Sequence, residues 1–224
     1  MPCHDEAGIL EECIAKAAEL EMVQEIILVD DGSIDGSSDL CAVLQHRYRS
    51  KVRALILPRN VGKNAAVRIG ARIAVTDIVA VLDCDLTIAP KSIEAALTQA
   101  VRAKAFVYGS RMSVVKNSQA MQISHRLGNQ FFATWVSWLL LRPVSDALCG
   151  LKALPREVIN AIPKSSCRWG DLDLIFGAAD SGLEFIEVPV EYSPRRTGRS
   201  KMRVIPTAAH LTLQCLHRMM KSQS

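Results

Sequence analysis

Three short β-branched runs, EIILVD at residues 25–30, VRALILP at 52–58 and IVAVLD at 78–83, are each followed by a stretch whose apolar residues recur at helical spacing. That alternation leaves few folds open. Strands joined through helices run parallel, need apolar cover on both faces, and present their carboxyl ends to ligands. The expected order is a helix over Glu6 to Leu20, a strand over Glu25 to Asp30, a helix over Asp35 to Arg49, and a strand over Val52 to Pro58. A helix over Gly62 to Val75 and a buried strand over Ile78 to Asp83 follow. Next come a helix from Pro90 to about Ala103, a strand over Ala105 to Tyr108 and a long aromatic helix over Gln119 to Leu141. The remainder reads as a strand near Cys149 to Ala153, a helix over Asp171 to Ser181, a strand over Glu184 to Tyr192, a basic loop and a last amphipathic helix. No repeat, low-complexity tract or polar linker interrupts this order, so residues 1–224 read as a single α/β domain.

Composition narrows the function classes. Lys plus Arg exceed Asp plus Glu by 27 to 23, too mild an excess to point to nucleic acid. The seven cysteines contain no C-x-x-C pair, which speaks against a zinc site or a disulfide framework and for a reducing, cytoplasmic setting. The most apolar run, Phe131 to Leu141, is about half the roughly 20 residues that a membrane span requires. The expectation is a cytoplasmic protein, peripheral on the cytoplasmic membrane face.

Two strands end in acid. Asp30 and Asp31 close one, and Asp83 and Asp85 close another, so both pairs fall on the ligand-binding rim. A calcium loop over DGSIDGSSDLCA fails at its twelfth position, where Ala42 replaces the required glutamate. In VLDCD, two carboxylates one residue apart resist ionising together unless a cation sits between them. Asp83 and Asp85 therefore read as a metal site for Mg²⁺ or Mn²⁺, the hard ions that bridge carboxylates to substrate phosphates. The plainer reading is a solvated D-x-D at a strand end.

The segments PCHDEAG, ILVDDGSIDGS, RNVGKNAAVRIGARIA, VLDCDLT, YGSRM, SDALCGLKAL, WGDLDL and RRTGRSKM, in this order along nearly the whole chain, resemble the family 2 glycosyltransferases. The branch they look most like includes dolichol-phosphate mannosyltransferase and the bacterial undecaprenyl-phosphate sugar transferases. The resemblance implies the GT-A fold, a Rossmann-like, mostly parallel sheet flanked by helices. It also implies a strand ahead of PCHDE, for which Pro2, directly after Met1, leaves no room, so the first strand is expected to be missing. His4 and Asp5 stand where the family carries an aromatic residue and an asparagine, and Thr87 where the lipid branch carries a glutamine.

By the same resemblance, Pro2, Glu6, Asp30 or Asp31, Lys63 and Asp83 line the donor pocket, and Asp83 and Asp85 hold the metal. Arg199, Ser200 and Lys201 belong to a mobile basic loop that closes over the diphosphate. Arg111, and Arg126 beside His125, match the basic positions that hold a lipid phosphate. Asp146, Asp171 and Asp173 lie on the acceptor side and are the bases to consider if the acceptor is a hydroxyl. The expected reaction is inverting transfer of a hexose from a GDP- or UDP-linked sugar to a polyprenyl phosphate, with Asp85, Arg111 and Arg126 carrying the chemistry. A polysaccharide or protein hydroxyl as acceptor, or a non-catalytic nucleotide-binding relative, are the alternatives. An anionic acceptor needs arginines to position it and no strong base, whereas a hydroxyl needs a carboxylate to take its proton. The run FFATWVSWLLL reads either as an interfacial helix or as a core helix.

Overall fold

The computed structural model describes residues 1–85, 87–112, 123–164, 167–194 and 204–222, with side chains for all but those at the ends of the last two long helices. Seven strands and eight helices are described: β1 (Pro2–Cys3), α1 (Ala7–Glu19), β2 (Ile26–Asp30), α2 (Ser37–Arg47), β3 (Val52–Ile56), α3 (Lys63–Ile73), β4 (Ile78–Val81) and α4 (Pro90–Ala103). They continue as β5 (Phe106–Ser110), α5 (Ile123–Leu140), β6 (Lys152–Pro155), α6 (Arg156–Ala161), α7 (Asp171–Asp180), β7 (Phe185–Pro189) and α8 (Val204–Ser222). Each anticipated element is present within a few residues of its expected ends, and α6 is an addition.

The strands form two hydrogen-bonded sets, ordered β1-β2-β3 and β4-β6-β5-β7. β1 with β2, β2 with β3 and β5 with β7 run parallel, while β6 runs antiparallel to both neighbours. The sheet is thus mostly parallel, as expected, with one reversed strand that hydrophobic pattern alone does not distinguish. Against the expectation of a missing first strand, Pro2 and Cys3 pair with Val29 and Asp30 as a two-residue strand.

Alternation along the strands sorts the core into two faces. Val79 and Val81 of β4, with Phe106 and Tyr108 of β5, pack toward α5, α6, α7 and the Ala71 side of α3. Ile78, Ala80 and Leu82, with Val107, face α4 and Leu20 at the end of α1. A third cluster packs α1 and α2 against β1–β3 through Leu10, Ile14, Leu28 and Leu44. Two-sided burial explains why the strands read as near-continuous apolar runs. All seven cysteines are buried thiols.

Candidate active site

The two acidic strand ends are stitched together by one turn. Asp31, 3% exposed, accepts the backbone N–H of Val61 at Oδ1 (2.6 Å) and of Gly62 at Oδ2 (2.8 Å). The next residue, Lys63, starts α3 and reaches across to Asp83 Oδ1 at 2.8 Å. Gly32 permits this closeness. Its φ is +66°, and a Cβ there would lie 2.4 Å from the Arg59 carbonyl carbon.

The adjacent aspartates do different work. Asp30 is fully buried and anchors the turn, accepting Ser33 Oγ, Ser38 Oγ (2.7 Å) and the Ser33 N–H. This withdraws Asp30 into the turn, while Asp31 is the carboxylate that ties the strand end to the start of α3. Asp35 caps rather than chelates. Its Oδ2 accepts the Ala7 N–H at the start of α1, and its Oδ1 accepts Ser37 N–H and Oγ. The Asp5 and Glu6 N–H groups donate to Ser33 and Ser37, which fixes the PCHDE segment, including Pro2 and Glu6, against the same loop.

On the β4 side, Asp83 is 35% exposed. Its Oδ2 packs against Gly150, where an added Cβ would lie at 2.4 Å. Asp85 is oriented by Thr87, whose Oγ1 donates to Asp85 Oδ1 at 2.7 Å and whose N–H donates at 3.2 Å. The half-exposed carboxylates fit a hard divalent cation in charge and donor type, and Thr87 supplies the supporting hydrogen bond that such ligands require. A second grouping, Cys3, Asp30 and Cys41, brings its ligand atoms within 4.8 Å of one another. It suits a hard ion poorly, because two of its three donors are thiols. The contact with Cys41 and then burial hold the Cys3 thiol well above its ordinary pKa, and Asp30 is already committed.

Thr87 also ties this rim to the last strand. Its carbonyl accepts the Ser193 N–H (2.8 Å), and Ile88 bridges to Tyr192. The chain therefore passes Thr87 just before the basic segment 195–203. Arg199, Ser200 and Lys201 lie outside the described residues, as does the His125 side chain.

Behind Asp83 runs a buried chain of alternating charge. Lys152 is 1% exposed and donates to Asp171 Oδ1 (2.8 Å) and to the Cys149 carbonyl (2.6 Å). The same Asp171 oxygen lies 3.5 Å from Lys63. Burial alone would raise the Asp171 pKa, but Lys152 and Lys63 outweigh it and hold it below the usual carboxylate range. Burial would likewise lower the Lys63 pKa, yet Asp171 and Asp83 keep it above the ordinary lysine value. Asp173, at the same end of α7, accepts Asn64 Nδ2 (3.0 Å) and Gln214 Nε2 (2.9 Å).

The other acceptor-side carboxylate is equally engaged. Arg111 donates through Nε and Nη2 to the two oxygens of Asp146, both at 2.7 Å, and its guanidinium lies over the Tyr192 ring at 5.4 Å. Burial opposes the charge, but Asp146 prevails and holds the Arg111 pKa above its ordinary value. Arg126 is exposed, one turn before Asn129, whose Oδ1 accepts the Leu148 N–H from the loop carrying Asp146. Lys152 and Gly150 are the site residues that sequence reasoning passed over. A lone lysine inside LCGLKALP was the available signal, because a cation in a buried strand must have a partner.

The family model described as glycosyl transferase family 2 matches residues 1–160. The chain belongs to that family. Among curated relatives, the family 2 domain is 30% identical over 212 residues to an undecaprenyl-phosphate 4-deoxy-4-formamido-L-arabinose transferase of Pseudomonas fluorescens, covering 92% of this chain and 60% of the relative. It is 29% identical over 193 residues to the transferase of the same description from Proteus mirabilis, covering 86% and 57%. The chain thus spans less than two thirds of the curated relatives it matches. Among solved structures, glucosyl-3-phosphoglycerate synthase from Mycobacterium tuberculosis, in complex with Mn²⁺, uridine diphosphate and phosphoglyceric acid, superposes with a TM-score of 0.72 at 17% identity, covering 97% of this chain and 76% of the other. A mannosyltransferase from Pyrobaculum calidifontis, in complex with GDP-Man and Mn²⁺, gives 0.63 at 16% identity, covering 98% and 62%. These likenesses establish the GT-A fold of the family 2 domain.

Proposed function

We propose that this chain is the transferase domain of a metal-dependent, inverting glycosyltransferase that moves one sugar from a UDP- or GDP-linked donor to a polyprenyl phosphate at a membrane surface. The observation carrying this reading is the state of the acceptor-side carboxylates: Asp146 is forked by Arg111, and Asp171 is held by Lys152 and Lys63. A hydroxyl acceptor needs a carboxylate ready to take its proton; these two are committed to cations, and the third, Asp173, accepts the side-chain amides of Asn64 and Gln214. A phosphate acceptor arrives ionised and needs only cationic positioning. Arg111 has Nη1 outside its pair with Asp146, and Arg126 stands exposed on α5.

In this reading a phosphate oxygen of the acceptor bonds to the anomeric carbon as the bond to the nucleotide diphosphate breaks. The electron pair leaves on the diphosphate, and configuration inverts. Asp31 and Glu6 face the nucleoside, and Asp83 and Asp85 would hold the divalent ion. Such an ion, when bound, neutralises charge growing on the leaving diphosphate. Arg199 and Lys201 would add two cations, and Ser200 a hydroxyl, from the segment that follows Tyr192. The curated relatives are named for a formamido-arabinose, so the transferred unit is best stated as a sugar rather than a hexose.

Docking at the membrane is supported by two helices. Leu127, Phe131, Trp138 and Leu141 are exposed on and just after α5, Leu213, Leu216 and Met220 are exposed on α8, and the two helices pack together. Among the described residues no helix is long and apolar enough to cross a membrane, so an interfacial attachment fits better. The test is incubation with labelled nucleotide sugars, Mn²⁺ and a short-chain polyprenyl phosphate. Label should pass to the lipid phosphate, with less transfer by Arg126→Ala. Label appearing only on a sugar or peptide hydroxyl refutes the acceptor assignment.

A further inference from the structure

Lys63 bridges one carboxylate of the open rim and one of the sealed interior. Its Nζ lies 2.8 Å from Asp83 Oδ1 and 3.5 Å from Asp171 Oδ1. Asp83 is 35% exposed, whereas Asp171 is buried. Two fixed points keep the ammonium there. Asp31 accepts the N–H groups of Val61 and Gly62, the two residues just ahead of Lys63, and Lys152 holds the same Asp171 oxygen at 2.8 Å.

We infer, on the metal-dependent reading given above, that Lys63 is an internal stand-in for the divalent ion: it occupies Asp83 until a donor diphosphate draws it off, so that cation and nucleotide bind together rather than separately. An ammonium in hydrogen-bond contact with a carboxylate takes up that oxygen and repels a second cation from it. Phosphate oxygens shift this balance, because they offer the same ammonium an anionic partner outside the carboxylates. Lys152 makes the release inexpensive. Removing one partner of a buried ion pair is costly when it strands the other charge, and Asp171 stays paired with Lys152 whichever way Lys63 turns. By linkage, a diphosphate that frees Asp83 raises affinity for the cation by the factor by which the cation raises affinity for the diphosphate.

A lysine that merely fastened α3 to the end of β4 predicts the opposite sign. Its loss would loosen the rim and weaken the cation site, whereas loss of a stand-in strengthens binding of the bare cation.

The test is a Mn²⁺ titration, read from the electron paramagnetic resonance of the free ion, first without nucleotide and then with UDP or GDP. The variants are Lys63→Met and Lys63→Gln, the latter keeping a hydrogen-bond donor toward Asp171. Lys104→Met, at the exposed far end of α4, removes the same charge elsewhere. Without nucleotide, both Lys63 variants should bind Mn²⁺ about tenfold or more tighter than the parent. Lys104→Met should stay within about twofold, because an exposed charge at a distance is screened. The gain in Mn²⁺ affinity on adding nucleotide should shrink in the Lys63 variants by the same factor. Lys63 variants that bind bare Mn²⁺ no better than the parent, that gain no more than Lys104→Met, or that both fail to fold overturn the stand-in while leaving metal-dependent transfer in place. A parent that binds no Mn²⁺ even with nucleotide present refutes the metal-dependent reading itself, and the stand-in with it.

Discussion

Gly150→Ala isolates the acidic rim from the rest of the fold. Residue 150 has no left-handed backbone, so the added methyl acts by contact alone. The new Cβ would lie 2.4 Å from Asp83 Oδ2 and 2.9 Å from its Cγ, where ordinary contacts begin at 3.4 Å. The carboxylate must therefore retreat by about 1 Å, a displacement that costs on the order of 100-fold when it moves a catalytic group. That corresponds to about 2.7 kcal/mol of transition-state stabilisation. Stability should change little, by about 1 kcal/mol, because Asp83 is partly exposed and Lys63 keeps Asp171. Calorimetry with nucleoside diphosphates, with and without Mn²⁺, would read the metal-linked part of binding, steady-state transfer would read kcat/KM, and thermal unfolding would serve as control. A variant with transfer and Mn²⁺-linked binding within threefold of the parent refutes the reasoning. So does one whose midpoint falls by more than about 10 °C, which would make Gly150 a core residue rather than a support for Asp83.

Other outcomes follow from the buried charges and the exposed helix faces. Lys152→Met leaves Asp171 with only the longer contact to Lys63 and should cost about 3 kcal/mol in urea unfolding, most of it recovered in the double variant with Asp171→Leu. Because the folded Asp171 pKa lies below its unfolded value, its stabilisation is present above about pH 4 and is lost as pH falls through the folded value. Asp171→Asn should therefore flatten the acid limb of a stability-versus-pH curve, and an unchanged limb would contradict the assignment. Phe131→Glu and Trp138→Glu, at positions 59% and 61% exposed, should weaken co-sedimentation with anionic liposomes at least fivefold while shifting the thermal midpoint by less than about 2 °C.

Much of the fold was legible because two-sided burial leaves near-continuous apolar strands and helical spacing between them. Strand direction was not. β6 carries no mark of running antiparallel between β4 and β5, since reversal changes hydrogen-bond partners and not side-chain alternation. Asp31, Asp83 and Asp85 were readable as a rim because each follows a strand end. That Asp30 turns inward while Asp31 takes two loop amides depends on Ser33, Ser38 and Gly62, which only the folded turn brings together. The pairing of Arg111 with Asp146 spans 35 residues and was equally invisible, as was the reach of Lys152 to Asp171.

The cysteines give the molecule a built-in gauge of opening. One lies on each of β1, α1, α2 and α8, and the others lie in the turn after β4 and just ahead of β6 and α7. Burial raises the pKa of Cys84 well above the ordinary value and that of Cys149 to about 12, so neither reacts readily while the fold is closed. Pulsed alkylation followed by peptide mapping would thus time the release of each region separately, without adding any label to the sequence.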